Sequence, residues 1–492
     1  MKKATAKPPS SKVQATVHAE LLPSRVSSFL DDIEANQIEL HGFVILQHGK
    51  PVTNGWWHPY RADVRHQLFS LSKSFTSTAA GFAVSEGILS LDDSVISFFP
   101  DKVPKDANDH LRAMKIRHLL TMSTGHETEP AIHDQKDWVK GFLAAPPTRE
   151  PGTHFLYNSL ATYMVSAIVQ KITGLTIRDY LMPRLFTPLG IPEPEWDSCP
   201  KGINAGGWGL WLATPEIARF GQFLLQKGVW DGTRLLPQEW VETATSMQVD
   251  NSSQSNPDWK AGYGFQFWRC RHGFYRGDGA FGQYCIVMED HDMVIAMNSG
   301  VADMQAILDL VWKHLIPVPL PAAEAKSRLP AEAAALDARC KTLRYAPPAL
   351  SVSHAEAVTL FAGWKGRNWN LSENAFMAKA IGFSSAGHRS FFVLEDERGK
   401  HKIPFGWGEW VESESTLKRQ PGRKRRKFPS FASANWKAPD SLLLTCRFPE
   451  TPDWYAIEFT RTSDTDLEMS ITINVSFDLD KTLAAAGKLA NT

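Results

Sequence analysis

The stretch "FSLSKSFTS", residues 69–77, decides how the rest of the chain is read. Its four serines surround a single lysine, and the apolar positions Phe75, Ala79, Phe82 and Ala83 predict a helix running to Glu86 and stopping at Gly87. On a helix, residues three or four apart share a face and neighbours do not. Ser70 therefore meets Lys73, whereas Ser72 and Ser74 point roughly 100° away. Ser77 also shares the face, but Ser70 lies at the helix N-terminus, where backbone N–H groups favour developing negative charge. A hydroxyl one turn before an amine has the makings of an activated nucleophile, provided burial keeps the lysine proton mobile. Alone, S-x-x-K recurs by chance and needs support.

Two further stretches supply it. Glu150-Pro151-Gly152 is a turn that presents Tyr157, in "YNS" at 157–159, just ahead of an apolar helix. A tyrosine beside an ammonium is a candidate proton shuttle, because positive charge stabilises phenolate. A core tyrosine with a satisfied hydroxyl is the ordinary alternative. In "YRGDGAFGQY", 275–284, Gly277, Gly279 and Gly282 lead into an apolar strand. Glycine permits close backbone approach, and a strand-edge N–H there can complete an oxyanion hole with the N–H of Ser70. The plainer alternative is a turn entering a strand.

The joint order of these motifs resembles the serine hydrolases related to class C β-lactamases and penicillin-binding proteins, a family that also holds esterases, D-aminopeptidases and nylon-oligomer hydrolases. "EGILSLDDSVISFFP" (86–100), "IRHLLTMSTG" (116–125), "GGWGLWLATPEIARFGQFLLQKGVWDG" (206–232) and "YGFQFW" (263–268) fit the same family in order, and the resemblance covers about residues 22–317. It implies Ser70 as nucleophile, Lys73 as its base partner, Tyr157 as proton relay, and an oxyanion hole from the backbone of Ser70 and Ala280. Ser159 stands where the family usually has asparagine, with fewer groups to grip an amide carbonyl. Gly277-Asp278-Gly279 stands where β-lactamases and carboxypeptidases carry K-T-G or H-T-G. An acid thus replaces the cation that recognises a substrate carboxylate. An uncharged ester or small amide fits better, as does a substrate whose amine pairs with Asp278. The glycines of "NAGGWGLW" (204–211) let Trp208 lean over a cleft and line it.

Outward from the motifs, Val26, Phe29, Leu30 and Ile33 predict an early helix, and "GFVILQHGKPVTNGWW" a hairpin turning at His48-Gly49-Lys50. A second hairpin, 283–288 and 293–298, turns at Asp290-His291-Asp292 before a helix over 302–315. Strands frame both ends of a helical middle, an α+β arrangement. With the resemblance, this becomes a five-stranded antiparallel sheet flanked by helices, with an inserted helical subdomain. The expected layout is a mobile tail at 1–21, the hydrolase domain at 22–317, a Pro/Ala-rich linker with one helix at 318–350, and an antiparallel sheet or barrel at 351–487.

Lysine plus arginine equals aspartate plus glutamate, 53 each, which argues against nucleic acid or an anionic membrane as partner. The apolar runs are too short for a membrane span. The N-terminus carries two lysines without an apolar run, so a cytoplasmic protein is expected. Cys199, Cys270, Cys285, Cys340 and Cys446 are scattered and read as free thiols. His48, His58, His66, His126 and His133 show no metal-ligand spacing, so neither metal nor organic cofactor is expected. The basic run "KRQPGRKRRKF", 418–428, reads as a solvated loop. The expected activity is cleavage of a small-molecule ester or amide through an acyl-enzyme. A true β-lactamase or D,D-peptidase is disfavoured by the missing K-T-G. A binding or sensor module that acylates slowly and never turns over is the rival from another class.

Overall fold

A computed structural model describes residues 19–132, 135–319, 322–418, 426–477 and 482–490, the side chains of 322–328 excepted. Helix α1 (Pro23–Ala35) buries Val26, Phe29, Leu30 and Ile33, the four positions its periodicity picked out. The first hairpin, β1 (Leu40–Gln47) and β2 (Lys50–Trp56), turns through His48 and Gly49, both left-handed. Three helices of the middle region matter for the site: α2 (Ser72–Ser85), α3 (Ser159–Thr173) and α4 (Thr214–Leu225). An antiparallel meander then follows, β3 (Trp268–Arg269), β4 (Tyr275–Gly279), β5 (Gln283–Met288) and β6 (Met293–Ser299), and α5 (Met304–His314) ends this part.

The sheet order is β2-β1-β6-β5-β4-β3. The two sequence-distant hairpins join at β1–β6, where Ile45 faces Ile295 and Val44 faces Ala296. Six strands replace the expected five, because His272 and Gly273 adopt left-handed backbones that fold Trp268–Arg269 back onto β4. Strands β5 and β6 are buried along their whole length, as expected when both faces of a sheet are covered. One face, with Phe43, Ile45, Tyr284 and Ile286, packs on α1 and α5. The other, with Val44, Cys285, Val287 and Val294, packs on the middle helices. A Cβ on Gly221 of α4 would lie 2.4 Å from Val294 Cγ1, so glycine sets the helix-to-sheet distance.

Residues 19–21 are not loose. Ala19–Glu20 pairs with Val318–Pro319, and Leu21 is buried. Helix α6 (Ala322–Cys340) occupies much of the stretch read as a linker, and α7 (His354–Phe361) precedes a ten-stranded sheet that runs from Asn368 to Leu489, two residues past the expected boundary. Its neighbours are antiparallel except where Gly399–Trp407 meets Phe428–Ala438 in parallel, Trp407 facing Ala434, and this pairing closes the barrel. Trp364, Trp369, Trp436, Phe383 and Phe459 fill its interior.

The barrel docks on the six-stranded part of the chain through buried polar groups. Arg447 pairs with Glu39, whose carboxylate lies 3.3 Å from His41 Nε2, and covers the Tyr345 ring at 4.2 Å. The basic run is not simply solvated. Arg426 is 13% exposed, lies 4.1 Å over the Trp211 ring and pairs with Glu195 and Glu450, and Lys418 pairs with Asp453. Residues 419–425 lie outside the described residues. The five cysteines are free and buried. Among the described residues, no single helix is long and apolar enough to cross a membrane.

Candidate active site

The helix proper starts at Ser72, so Ser70 sits on the preceding 3-10 turn, Phe69–Leu71, whose first residue has φ 47°. Residues three apart eclipse in such a turn, and the contact with Lys73 survives. Lys73 is 1% exposed, and its Nζ lies 3.0 Å from Ser70 Oγ, 3.0 Å from Ser159 Oγ and 2.7 Å from the Gly207 carbonyl oxygen. The other serines are accounted for. Ser72 donates to the Phe69 carbonyl at 2.6 Å and Ser74 to that of Gln266 at 3.0 Å. Ser77 is fully buried, with no hydrogen-bond partner for its hydroxyl.

Burial pushes the Lys73 ammonium down to about 7, against the Glu129 and Asp278 carboxylates, which pull it up. Tyr157 behaves differently from expectation. Burial, and then the Asp278 and Glu129 charges, push its phenol well up, and a hydrogen bond to Ser70 offsets this only in part. The lysine stands over the ring face, 4.8 Å from the centroid. The phenol is therefore neutral, and the lysine is the group that titrates near neutrality. Trp268 stacks on the tyrosine at 5.2 Å, and Tyr263 meets it edge-on at 6.3 Å.

Local backbone contacts place these groups. Gly152 N–H donates to the Ser123 carbonyl at 2.7 Å and Leu156 N–H to that of Met122 at 2.8 Å, fixing the approach to Tyr157. Asn158 caps α3 by accepting from the N–H groups of Leu160 and Ala161, which makes Ser159 the first helical residue. Ser159 faces the lysine. A Cβ on Gly207 would lie 2.6 Å from the Ser159 carbonyl oxygen. Of the glycines in 204–211, Gly207 thus serves the lysine contact, while half-buried Trp208 packs at 5.6 Å on Trp138.

Strand β4 lies directly on the Ser70 turn. A Cβ on Gly279 would stand 2.0 Å from the Leu68 carbonyl oxygen and 3.1 Å from Leu71 N, and one on Gly277 would meet Ser74 Oγ at 2.5 Å. Ala280 follows, half-buried beside the turn. Gly279→Ala is expected to force the strand off the turn, costing about 1–3 kcal/mol in denaturant unfolding and most of the turnover of the protein that remains folded. Unchanged stability and turnover would show that this contact is not tight.

Asp278 corrects the sequence reading. It is 6% exposed and accepts from Arg276 Nε at 3.0 Å, with Nη2 at 2.9 Å, so it is not open to a substrate amine. Residues two apart on a strand share a face, which sets the pair side by side. Arg276 is itself buried, 4.4 Å over the Trp259 ring, and donates to the Asp258 carbonyl at 2.7 Å. The exposed acid is Glu129, which sequence reasoning missed. It accepts from Leu160 N–H at 3.1 Å at the start of α3, and its charge acts on both Lys73 and Tyr157. No motif marks it. Nor did any motif mark the Gly207 carbonyl; the glycine pair at 206–207, read only as freeing Trp208, is the signal that could have found it.

The histidines stand apart from this site. His126 bridges Thr124 and the Ala145 carbonyl, and His48 pairs with Asp292. His133 lies outside the described residues. Among the described residues no group of three His, Cys, Asp or Glu side chains is placed to hold a metal.

A family model described as Beta-lactamase matches residues 30–307, which contain every group above. The chain is 25% identical over 188 residues to a beta-lactamase of Escherichia coli (strain K12), covering 36% of this chain and 48% of that one. It is 26% identical over 174 residues to a lovastatin esterase of Penicillium rubens, covering 30% and 43%. The chain spans about half the length of the curated relatives it matches. A solved Bacillus anthracis structure, provisionally named a 6-aminohexanoate-dimer hydrolase, superposes with a TM-score of 0.50 at 20% identity, over 62% of this chain and 83% of its own.

Proposed function

Because this chain belongs to the beta-lactamase family of serine hydrolases, we propose that it cleaves an uncharged ester or small amide through an acyl-enzyme on Ser70. Lys73 is the general base and Tyr157 the neutral phenol of the proton relay. The observation that carries the reading is the set of three partners around Lys73 Nζ. A neutral amine has two N–H donors and one lone pair. The donors suit the Gly207 carbonyl and Ser159 Oγ, which leaves the lone pair for the Ser70 hydroxyl proton. An ammonium lowered to about 7 supplies that neutral form at ordinary pH.

In the first step Ser70 Oγ attacks the carbonyl carbon as Lys73 takes the hydroxyl proton. The backbone N–H groups of Ser70 and Ala280 receive the developing oxyanion. The proton passes through Tyr157 to the departing alkoxide or amine as its bond to carbon breaks. Water then attacks the acyl-enzyme, giving up a proton by the same route, and the acid leaves with Ser70 restored. Arg276 bears on substrate charge: its guanidinium is spent on Asp278, so it does not serve as the partner of a substrate carboxylate. An amine-bearing amide is the second reading, favoured by the exposed Glu129 carboxylate at the start of α3.

A panel of p-nitrophenyl esters, D-amino-acid amides and nitrocefin, run with intact protein and Ser70→Ala, tests this. Steady ester turnover is expected, lowered by roughly a thousandfold or more in the variant. Nitrocefin turnover above that of the esters would reassign the substrate. A burst with no steady state would make the protein a slowly acylating binder.

A further inference from the structure

The C-terminal barrel brings an aromatic side chain, Phe477, to the candidate site. Phe477 follows the barrel strand Asp466–Ile473 and is 75% exposed. Single exposed apolar side chains such as Ile88 or Leu175 are ordinary. Phe477 differs because its ring meets two rings from the other part of the chain, Phe281 at 4.8 Å and Phe69 at 5.8 Å. Those two meet edge-on at 5.3 Å. Phe69 immediately precedes Ser70, and Phe281 immediately follows Ala280. The three rings therefore stand beside the two backbone positions to which the oxyanion is assigned. Both Phe69 and Phe281 are half-buried and hold left-handed backbones, φ 47° and 66°, a conformation costing about 1–3 kcal/mol that concentrates at ligand sites.

The barrel is tied down where this contact needs it. Asn474 Nδ2 donates to the carbonyls of Gly300 and Pro452, each at 3.1 Å, and its Oδ1 accepts from Trp454 N–H at 2.7 Å. Gly300 follows β6, and a Cβ there would lie 2.1 Å from the Pro452 carbonyl oxygen. One residue earlier, the single Ser299 hydroxyl proton is shared between the carbonyl oxygens of Gly282, at 2.6 Å, and Phe281, at 3.0 Å. The end of β6 thus holds Phe281 from one side and the barrel from the other.

We propose that Phe477 of the barrel, with Phe69 and Phe281, forms an aromatic wall beside Ser70 that binds an apolar substituent of the substrate and makes Phe477 a specificity-determining residue. The class of substrate rests on the hydrolase reading above, and the test separates the two. Full-length wild type, Phe477→Ala and Phe477→Leu are compared on p-nitrophenyl esters from acetate to hexanoate and on alkyl acetates from methyl to hexyl. The series whose length preference changes identifies the substituent. In Phe477→Ala the hexanoate-to-acetate or hexyl-to-methyl ratio of kcat/KM is expected to fall about tenfold or more, with part recovered in Phe477→Leu and no change in melting temperature. A second arm needs no turnover: in the Ser70→Ala background, calorimetry with p-nitrophenyl hexanoate and hexyl acetate is expected to show weaker binding of the favoured ester once Phe477 is alanine. Superimposable length profiles together with unaltered binding, or no binding to Ser70→Ala at all, would overturn the wall. Binding that depends on Phe477 in a protein that hydrolyses neither ester nor amide would keep the wall and remove the hydrolase reading.

Discussion

Lys73→Met is expected to lower kcat/KM for the best ester by about three orders of magnitude, the range of general-base catalysis. Wild-type kcat/KM should rise through an acid limb centred near 7, where the buried lysine loses its proton, and then level off. Glu129→Gln removes a charge that pulls the lysine upward, so its limb should move to lower pH. Stability should rise with pH as well. The folded lysine titrates about 7 against its ordinary value of 10.5, so between these pH values the unfolded chain binds more protons and stability rises with pH. The penalty of burying the ammonium is largest below 7, and Lys73→Met should be at least as stable as wild type there. Rates measured from pH 5 to 9 and melting curves at both ends of that range check these points. A Lys73→Met enzyme with near-normal turnover, or a wild-type profile flat through 7, would remove the lysine from its role.

Arg276→Met is expected to destabilise the protein by about 3–5 kcal/mol, since it strands the Asp278 carboxylate inside the fold without its partner. The double variant Arg276→Met with Asp278→Leu should recover most of that loss, because well-packed apolar groups replace a buried pair at little cost. Denaturant unfolding of the three proteins measures it. A single variant within about 0.5 kcal/mol of wild type, the span of ordinary surface substitutions, would show that Asp278 is better solvated than its burial indicates. The result bears on chemistry too, because Asp278 acts on the charge of both Lys73 and Tyr157.

Much of the catalytic half was legible before any coordinates. Ser70 and Lys73 lie within one turn, so helical spacing alone brings them together. The hairpins declared themselves through their turns, and α1 through its periodicity. Asp278 was half legible: a period of two puts it beside Arg276, but only the Trp259 and Trp268 cover shows that the two satisfy each other away from water. The neutrality of Tyr157 was not legible, since it depends on how deeply the phenol is buried and on two carboxylates from other elements.

Glu129 reaches Leu160 across 31 positions, Gly207 reaches Lys73 across 134, and Phe477 meets Phe69 from a different part of the chain. Side-chain identity and spacing along one helix or strand follow short-range geometry, and that much of this protein is written in its residues. Which loop carbonyl, which acid and which barrel ring close around the lysine and serine depends on packing between distant elements, a three-dimensional fact with no local period to announce it.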